Sequence, residues 1–157
     1  MAISNVNRSA FESEAEADLV DALRDGGFVD VSLIAESDGE IVGHILFSRL
    51  SVTTKVGTVE AVSLAPMAVL PGHQRRGTGT RLAEAALEAC REQGHKFAVV
   101  LGHPQYYPRF GFSAELARPL DNPFGNGDAW MAMELVPGAL RGVEGRVLYP
   151  PPFGALD

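Results

Sequence analysis

The chain has 157 residues, of which 46% are hydrophobic and 21% charged, and its formal net charge is -7. This length and composition predict a single soluble domain over residues 1–157, and no apolar run approaches the roughly 20 residues that a membrane span needs. The negative charge excludes broad nucleic-acid binding, which requires a basic face. One cysteine cannot form an internal disulfide, and the polar first residues lack a secretory signal, so we expect a cytoplasmic location.

A helix is predicted near the start of the chain, over residues 13–24. Apolar side chains recur there at helical spacing. Ser13 suits the N-cap position, and Gly26-Gly27 closes the element.

Three strands are predicted next, over residues 32–37, 40–53 and 59–70, because these segments are rich in Val, Ile, Leu and Thr. Asp38-Gly39 separates the first two and predicts a tight antiparallel hairpin. Pro66 lies inside the third strand. Proline cannot donate a hydrogen bond to a strand ladder, so it predicts a bulge or a splayed edge.

The second half of the chain predicts one long helix followed by shorter elements. The apolar face of a helix over residues 77–93 consists of Leu82, Ala83, Ala86, Leu87 and Cys90. Cys90 is therefore expected to pack in the core and not to act as a nucleophile. The further predicted elements are a central strand over residues 97–101, at most a short helix over 106–110, and strands over 129–136 and 145–149.

The junction between the third strand and the long helix carries the strongest functional signal. Its basic side chains are His73, Arg75, Arg76 and Arg81, and residues 71–82 contain no acid. Gly77 and Gly79 allow the backbone to approach a ligand closely. Unpaired N–H groups and the positive dipole at the start of a helix favour an anion, so the junction predicts a phosphate-binding loop.

Two common phosphate loops do not fit these residues. The loop of nucleotide hydrolases needs a lysine and a hydroxyl after its second glycine, whereas Thr78-Gly79 follow Gly77. The dinucleotide fingerprint needs a third glycine where Leu82 stands. A nucleotide hydrolase or dehydrogenase is therefore disfavoured.

Two motifs resemble those of the GNAT acetyltransferase superfamily. Gln74-Arg75-Arg76-Gly77-Thr78-Gly79, behind a strand ending in Met67-Ala68-Val69, is similar to its coenzyme A pyrophosphate loop. Tyr107-Pro108-Arg109-Phe110-Gly111-Phe112 resembles its tyrosine four residues ahead of a Gly-Phe pair. Residues 64–71 and 101–107 are further similar to a bacterial subgroup of N-acetyltransferases.

The likeness extends from about residue 6 to the Pro150-Pro151 tail, with two departures. Superfamily members usually open with a strand before the first helix, and only residues 1–6 precede this helix region. Many members also carry a glutamate general base two residues before the position of Met67. Ala65 stands there, and alanine cannot accept a proton.

The resemblance implies an α/β fold (α+β by some schemes), with a mixed, mostly antiparallel, splayed sheet flanked by helices. It implies that acetyl-coenzyme A lies in a cleft where the parallel strands 59–70 and 97–101 diverge. Separately, no His and Cys spacing in the sequence fits a zinc site and no acidic loop fits calcium, so we expect no metal. The cofactor-binding residues that it implies are Ala68, Val69, Gln74, Arg75, Arg76, Gly77, Thr78, Gly79 and Thr80.

The resemblance also implies that an amine attacks the thioester directly. The N–H of Met67 would stabilise the oxyanion, and Tyr107 would protonate the departing thiolate. His44, Glu60, His103 or water are the candidates for the base that deprotonates the amine. The acceptor, a small molecule or a peptide, is not specified by the sequence, and a homodimer is compatible with it. A non-catalytic acyl-coenzyme A sensor is the alternative function.

Overall fold

The computed structural model describes residue 22, residues 25–70 and residues 77–150. Its elements in chain order are strands β1 (Val29–Ser37), β2 (Glu40–Thr54) and β3 (Gly57–Val69), helix α1 (Thr78–Glu92), strand β4 (Phe97–Leu101), a 3-10 helix (Tyr107–Phe110), helix α2 (Ala114–Ala117), and strands β5 (Leu120–Asp121), β6 (Trp130–Glu134) and β7 (Gly145–Leu148). The helix predicted over residues 13–24 lies outside the described residues except for Ala22, which is helical.

The strands form one seven-stranded mixed sheet in the order β5-β7-β2-β3-β4-β6, with β1 also paired to β2. The pairs β3–β4 and β5–β7 are parallel, and the other pairs are antiparallel. Strand β2 is long enough to pair with β1 through residues 40–48 and with β7 through residues 51–53. The predicted mixed, mostly antiparallel sheet is therefore confirmed.

The hairpin predicted between the first two strands is present. Asp38 and Gly39 both have positive φ, 52° and 79°, as the tightest hairpin turns require. Strand β1 begins at Val29, three residues before the predicted start at residue 32. The extension is held by Asp30, whose carboxylate lies 2.7 Å from Nη2 of Arg49 on β2.

Strand β3 contains the bulge that Pro66 predicts. Ile45 of β2 faces Met67, whereas Phe47 faces Leu64. Two residues of β3, Ala65 and Pro66, therefore lie opposite a single residue of β2, Leu46. The bulge bends β3 next to the candidate functional site described below.

The two parallel strands stay together only briefly. Their ladder consists of Val62 with Ala98 and Ser63 with Val99. Beyond Ser63, β3 continues along β2, while β4 continues along β6 as far as Leu101 opposite Trp130. The sheet is thus splayed between β3 and β4.

Strand β4 is central and separates two buried clusters, as its continuous apolar sequence predicts. Ala98 and Val100 pack with the buried face of α1, and Phe97 and Val99 pack on the other side of the sheet. The buried residues of α1 are Leu82, Ala83, Ala86, Leu87 and Cys90, which confirms the predicted apolar face. Helix α1 therefore covers one side of the splayed region.

Candidate functional site

A cavity of about 470 Å³ lies between the end of β3, the first turn of α1 and the 3-10 helix; we call it the β3–β4 cleft. It is lined by Met67, Val69, Gly77, Gly79, Thr80, Tyr106 and Arg109. Two features of the sheet create this cavity at the end of β3. The parallel ladder ends at Ser63, and the bulge turns the rest of β3 away from β4.

The start of α1 is suited to an anion. Gly77 is the N-cap residue in the left-handed conformation, with φ 78°, which glycine adopts without a Cβ penalty. The residue carries no side chain that could cap the helix, and the first turn contains no acidic residue. The first turn of α1 thus brings backbone N–H groups and the positive dipole end beside the cleft without an acidic side chain in that turn.

The absence of a side chain at Gly79 keeps the cleft open. A Cβ atom at this position would lie 3.2 Å from Oη of Tyr106, 3.7 Å from Cε of Met67 and 3.8 Å from Cγ2 of Val69. These three atoms come from elements on opposite sides of the cavity. A side chain at position 79 would therefore occupy the space that a ligand needs.

Tyr106 forms one wall of the cleft. Its hydroxyl lies 3.4 Å from Oγ1 of Thr80, within the first turn of α1. The guanidinium of Arg109 stacks over the Tyr106 ring, with Cζ 4.3 Å from the ring centroid. Nε of Arg109 also donates a hydrogen bond to the carbonyl of Tyr106 at 2.9 Å. Sequence reasoning missed Tyr106 as a site residue, although it stands beside Tyr107 and three residues before Arg109.

Tyr107 lies in the core cluster and not among the residues that line the cleft. Its side chain is 8% exposed and packs edge-on against Tyr106 and Phe112, at 5.2 and 5.9 Å between ring centroids. Gly102 makes room for the ring, because a Cβ there would lie 2.5 Å from Cε2 of Tyr107. Burial, with a smaller effect of Tyr106, raises the pKa of Tyr107 to about 12.

The other predicted cofactor residues divide into three groups. Met67, Val69, Gly77, Gly79 and Thr80 line the cleft. Ala68 is buried beside His44 on β2, and Thr78 lines a different groove, between β1 and α1. The predicted residues Gln74, Arg75 and Arg76 lie outside the described residues.

The candidate bases occupy different places. His44 is fully buried opposite Ala68, with Nε2 3.0 Å from Oγ of Ser32. His103 is exposed after β4, and its carbonyl accepts hydrogen bonds from the N–H groups that begin the 3-10 helix. Glu60 is exposed at the far end of β3, about 23 Å along the strand from Met67 at roughly 3.3 Å per residue. Glu60 is therefore too distant to act as the base.

The described residues contain neither a metal-binding cluster nor a membrane-spanning helix. Within residues 25–70 and 77–150, no group of three or more His, Cys, Asp or Glu side chains is arranged to hold a metal ion. No helix in the same part of the chain has the length and apolar character to cross a membrane.

Known proteins resemble this chain over most of its length. The family model described as an acetyltransferase (GNAT) domain matches residues 2–114. An uncharacterized N-acetyltransferase of Escherichia coli K12, YhbS, is 35% identical over 144 residues, which cover 90% of this chain and 85% of the relative. A second E. coli K12 relative, the uncharacterized N-acetyltransferase YjhQ, is 40% identical over 112 residues, or 70% of this chain and 62% of that one.

Two solved structures share the fold. E. coli YhbS in complex with CoA superposes with a TM-score of 0.89 at 33% identity, over 98% of this chain and 85% of that chain. A GNAT family acetyltransferase from Brucella melitensis in complex with acetyl-CoA has a TM-score of 0.80 at 30% identity, over 97% of this chain and 90% of that chain.

Proposed function

Because this chain belongs to the GNAT acetyltransferase family, we propose that it transfers an acetyl group from acetyl-coenzyme A to a primary amine. The observation that carries the proposal is the β3–β4 cleft, which joins an acid-free helix start to the gap between two parallel strands. The two solved relatives bound to CoA and acetyl-CoA support the choice of cofactor.

The diphosphate of the cofactor would lie at the start of α1. The backbone N–H groups from Gly77 to Thr80, together with Gln74, Arg75 and Arg76 before them, supply donors and positive charge for it. The pantetheine arm would then run past Gly79 along the edge of β3, where Ala68 and Val69 would bond its amides. The close approach of Gly79 to Met67 and Val69 supports this path, since a larger residue would block it.

The chemical step would be direct acyl transfer. The amine nitrogen attacks the thioester carbonyl carbon, a tetrahedral oxyanion forms, and the carbon–sulfur bond breaks as the carbonyl is restored. The N–H of Met67 would donate to the oxyanion. The position of Met67 supports this role, because it follows the bulge where β3 leaves β4 and its side chain lines the cleft.

Tyr107 does not line the cleft itself but packs edge-on against Tyr106, which does, and from that position its hydroxyl would donate a hydrogen bond to the departing sulfur. A pKa raised to about 12 keeps its hydroxyl protonated near neutral pH and therefore able to donate a hydrogen bond. Because a thiol has a pKa of about 8.5, complete transfer of the phenol proton to the thiolate is uphill. The proton that the amine loses is therefore the one that ends on the sulfur, while Tyr107 stabilises the thiolate as a hydrogen-bond donor.

The acceptor must lose a proton before it attacks, because an alkylamine has a pKa of about 10.4 in water. His44, His103 and water are the candidates for the base. The two histidines differ in access, since His44 is fully buried and His103 is exposed. A small molecule or a peptide amine would satisfy the same chemistry.

Thiol release tests this function. The protein is incubated with acetyl-coenzyme A and a panel of polyamines, amino acids, aminoglycosides and peptides, and free thiol is followed with a chromogenic disulfide. Amine-dependent thiol release that disappears in Gly79→Val supports the transferase. Cofactor binding without thiol release across the panel would favour an acyl-coenzyme A sensor.

A further inference from the structure

A second cavity adjoins the β3–β4 cleft. Its volume is about 410 Å³, and it shares Thr80 and Arg109 with the cleft. Its other lining residues are Glu84, Leu87, Glu88, Arg91 and Phe110. A ligand that lies in the cleft and extends past the first turn of α1 therefore enters this second cavity beside Arg109.

Arg109 lies exposed at the boundary between the two cavities and makes two contacts with Tyr106. Its Nε is bound to the carbonyl of Tyr106 at 2.9 Å, and its guanidinium lies over the Tyr106 ring at 4.3 Å. These contacts use one face and one N–H of the side chain and leave the terminal nitrogens for a ligand. The helix bearing Arg109 is thereby tied to the wall of the cleft.

Arg109 is also the unneutralised cation of this cavity. Arg91 lies 3.6 Å from the carboxylate of Glu88, whereas Arg109 forms no ion pair within the described part of the chain. Glu84, which lines the α1 side of the same cavity, repels anions. A negatively charged group in this cavity is therefore most stable at the Arg109 end.

We propose that Arg109 binds the 3′-phosphate of coenzyme A and makes the protein select the coenzyme over its 3′-dephospho form. The inference rests on the proposed function, which places the diphosphate at the start of α1. The remaining phosphate is a monoester on the adenosine ribose, the end of the molecule that leaves the cleft. A guanidinium matches it by paired N–H donors, and Leu87 and Phe110 offer apolar surface to the adenine ring.

The test compares two ligands on matched variants. Dissociation constants for coenzyme A and 3′-dephospho-coenzyme A are measured by calorimetry on the wild type, Arg109→Gln and Arg91→Gln. We expect the wild type to prefer coenzyme A by about tenfold or more, the range of a charge-assisted hydrogen-bonded pair. Arg109→Gln should weaken coenzyme A about tenfold and dephospho-coenzyme A less than about twofold, while Arg91→Gln should preserve the preference.

Three results overturn the inference or its premise in different ways. Equal loss of both ligands in Arg109→Gln would assign the side chain to the diphosphate or to the cleft wall. Equal binding of both ligands by the wild type would show that no group reads the 3′-phosphate. Failure of the wild type to bind either ligand would refute the proposed function itself. Thermal melting of each variant, with Arg109→Lys as a charge-retaining form, separates loss of recognition from loss of fold.

Discussion

The hydroxyl of Tyr106 lies 3.4 Å from Oγ1 of Thr80, so the 3-10 helix after β4 is joined to the first turn of α1. Thr80 and Tyr106 are 26 residues apart, and the helices that they join follow β3 and β4, the two strands that splay. Their contact closes the β3–β4 cleft on one flank and places a phenol beside the proposed path of the pantetheine arm. The neighbouring Tyr107 turns into the core instead.

The two tyrosines should differ in their effect on turnover. Tyr107→Phe removes the proposed donor to sulfur and should lower kcat by about 100-fold, the lower end of the range for general acid catalysis, while cofactor affinity changes little. Tyr106→Phe is the matched control and should lower kcat less than about threefold, since it removes only a long contact to Thr80. Steady-state kinetics and calorimetry measure both quantities. A larger kcat loss in Tyr106→Phe would transfer the role of donor to Tyr106.

Gly79→Ala should weaken coenzyme A binding without destabilising the fold. The added methyl group would lie 3.2 Å from Oη of Tyr106 and narrow the cleft, so coenzyme A affinity should fall by about tenfold. Stability should stay level or rise by up to about 1 kcal/mol, because alanine favours a helix over glycine. Urea denaturation and calorimetry check the two effects.

Gly77→Ala is the converse control. Gly77 has φ 78° with nothing within 4 Å of an added Cβ, so alanine fills no space but strains the backbone. We expect a loss of about 1 kcal/mol of stability. If Gly79→Ala bound coenzyme A as tightly as the wild type, the ligand path past Gly79 would be wrong.

Stability should fall at alkaline pH. Burial raises the pKa of the Cys90 thiol from 9.0 to about 12 and that of Tyr107 from 10.0 to about 12. The folded state therefore holds these protons more tightly than the unfolded chain. The stabilisation is fully present below about pH 9 and is lost as the pH rises toward 12.

Cys90→Ala isolates the first part of that loss. The wild type should lose about 1.4 kcal/mol more than the variant between pH 8 and pH 10, because pH 10 lies one unit above the unfolded pKa of 9.0 and a group with a raised pKa contributes roughly 1.4 kcal/mol per pH unit there. Urea midpoints at the two pH values measure the difference. Parallel losses in both proteins would mean that Cys90 ionises in the folded state.

The start of β1 should depend on one ion pair. The Asp30 side chain is 9% exposed and lies 2.7 Å from Nη2 of Arg49, and a second hydrogen bond comes from Nε at 3.3 Å. Asp30→Asn should cost about 1–2 kcal/mol of unfolding free energy. Glu88→Gln, which removes the exposed pair with Arg91 at 3.6 Å, should cost less than about 0.5 kcal/mol. Equal costs in urea denaturation would contradict the importance of burial at Asp30.

The features that depend on local chemistry were predictable from the sequence. Asp38-Gly39 fixed the hairpin because both positions need positive φ, and Pro66 fixed the bulge because it lacks an N–H. The buried face of α1 followed from its helical spacing. The coenzyme A loop was predicted by resemblance, and its arginines lie outside the described residues.

The features that depend on distant partners were not predictable. Strand β5 exists because Leu120 pairs with Gly145 and its carbonyl accepts the indole N–H of Trp130 at 2.8 Å. Neither partner is near in sequence. Which of the two tyrosines lines the cleft depends on how the four-residue 3-10 helix is oriented. Two adjacent tyrosines in the sequence do not reveal that orientation.

The two-pair ladder between β3 and β4 has a consequence for solvent exchange. Past Ser63 and Val99, β3 and β4 no longer pair with each other, and a pantetheine chain carries two amides that can form hydrogen bonds between the two strands. Deuterium uptake over the last residues of β3 should therefore slow when the cofactor is added, while uptake in β2 stays constant. In that sense the small molecule completes the protein's own hydrogen-bonded framework.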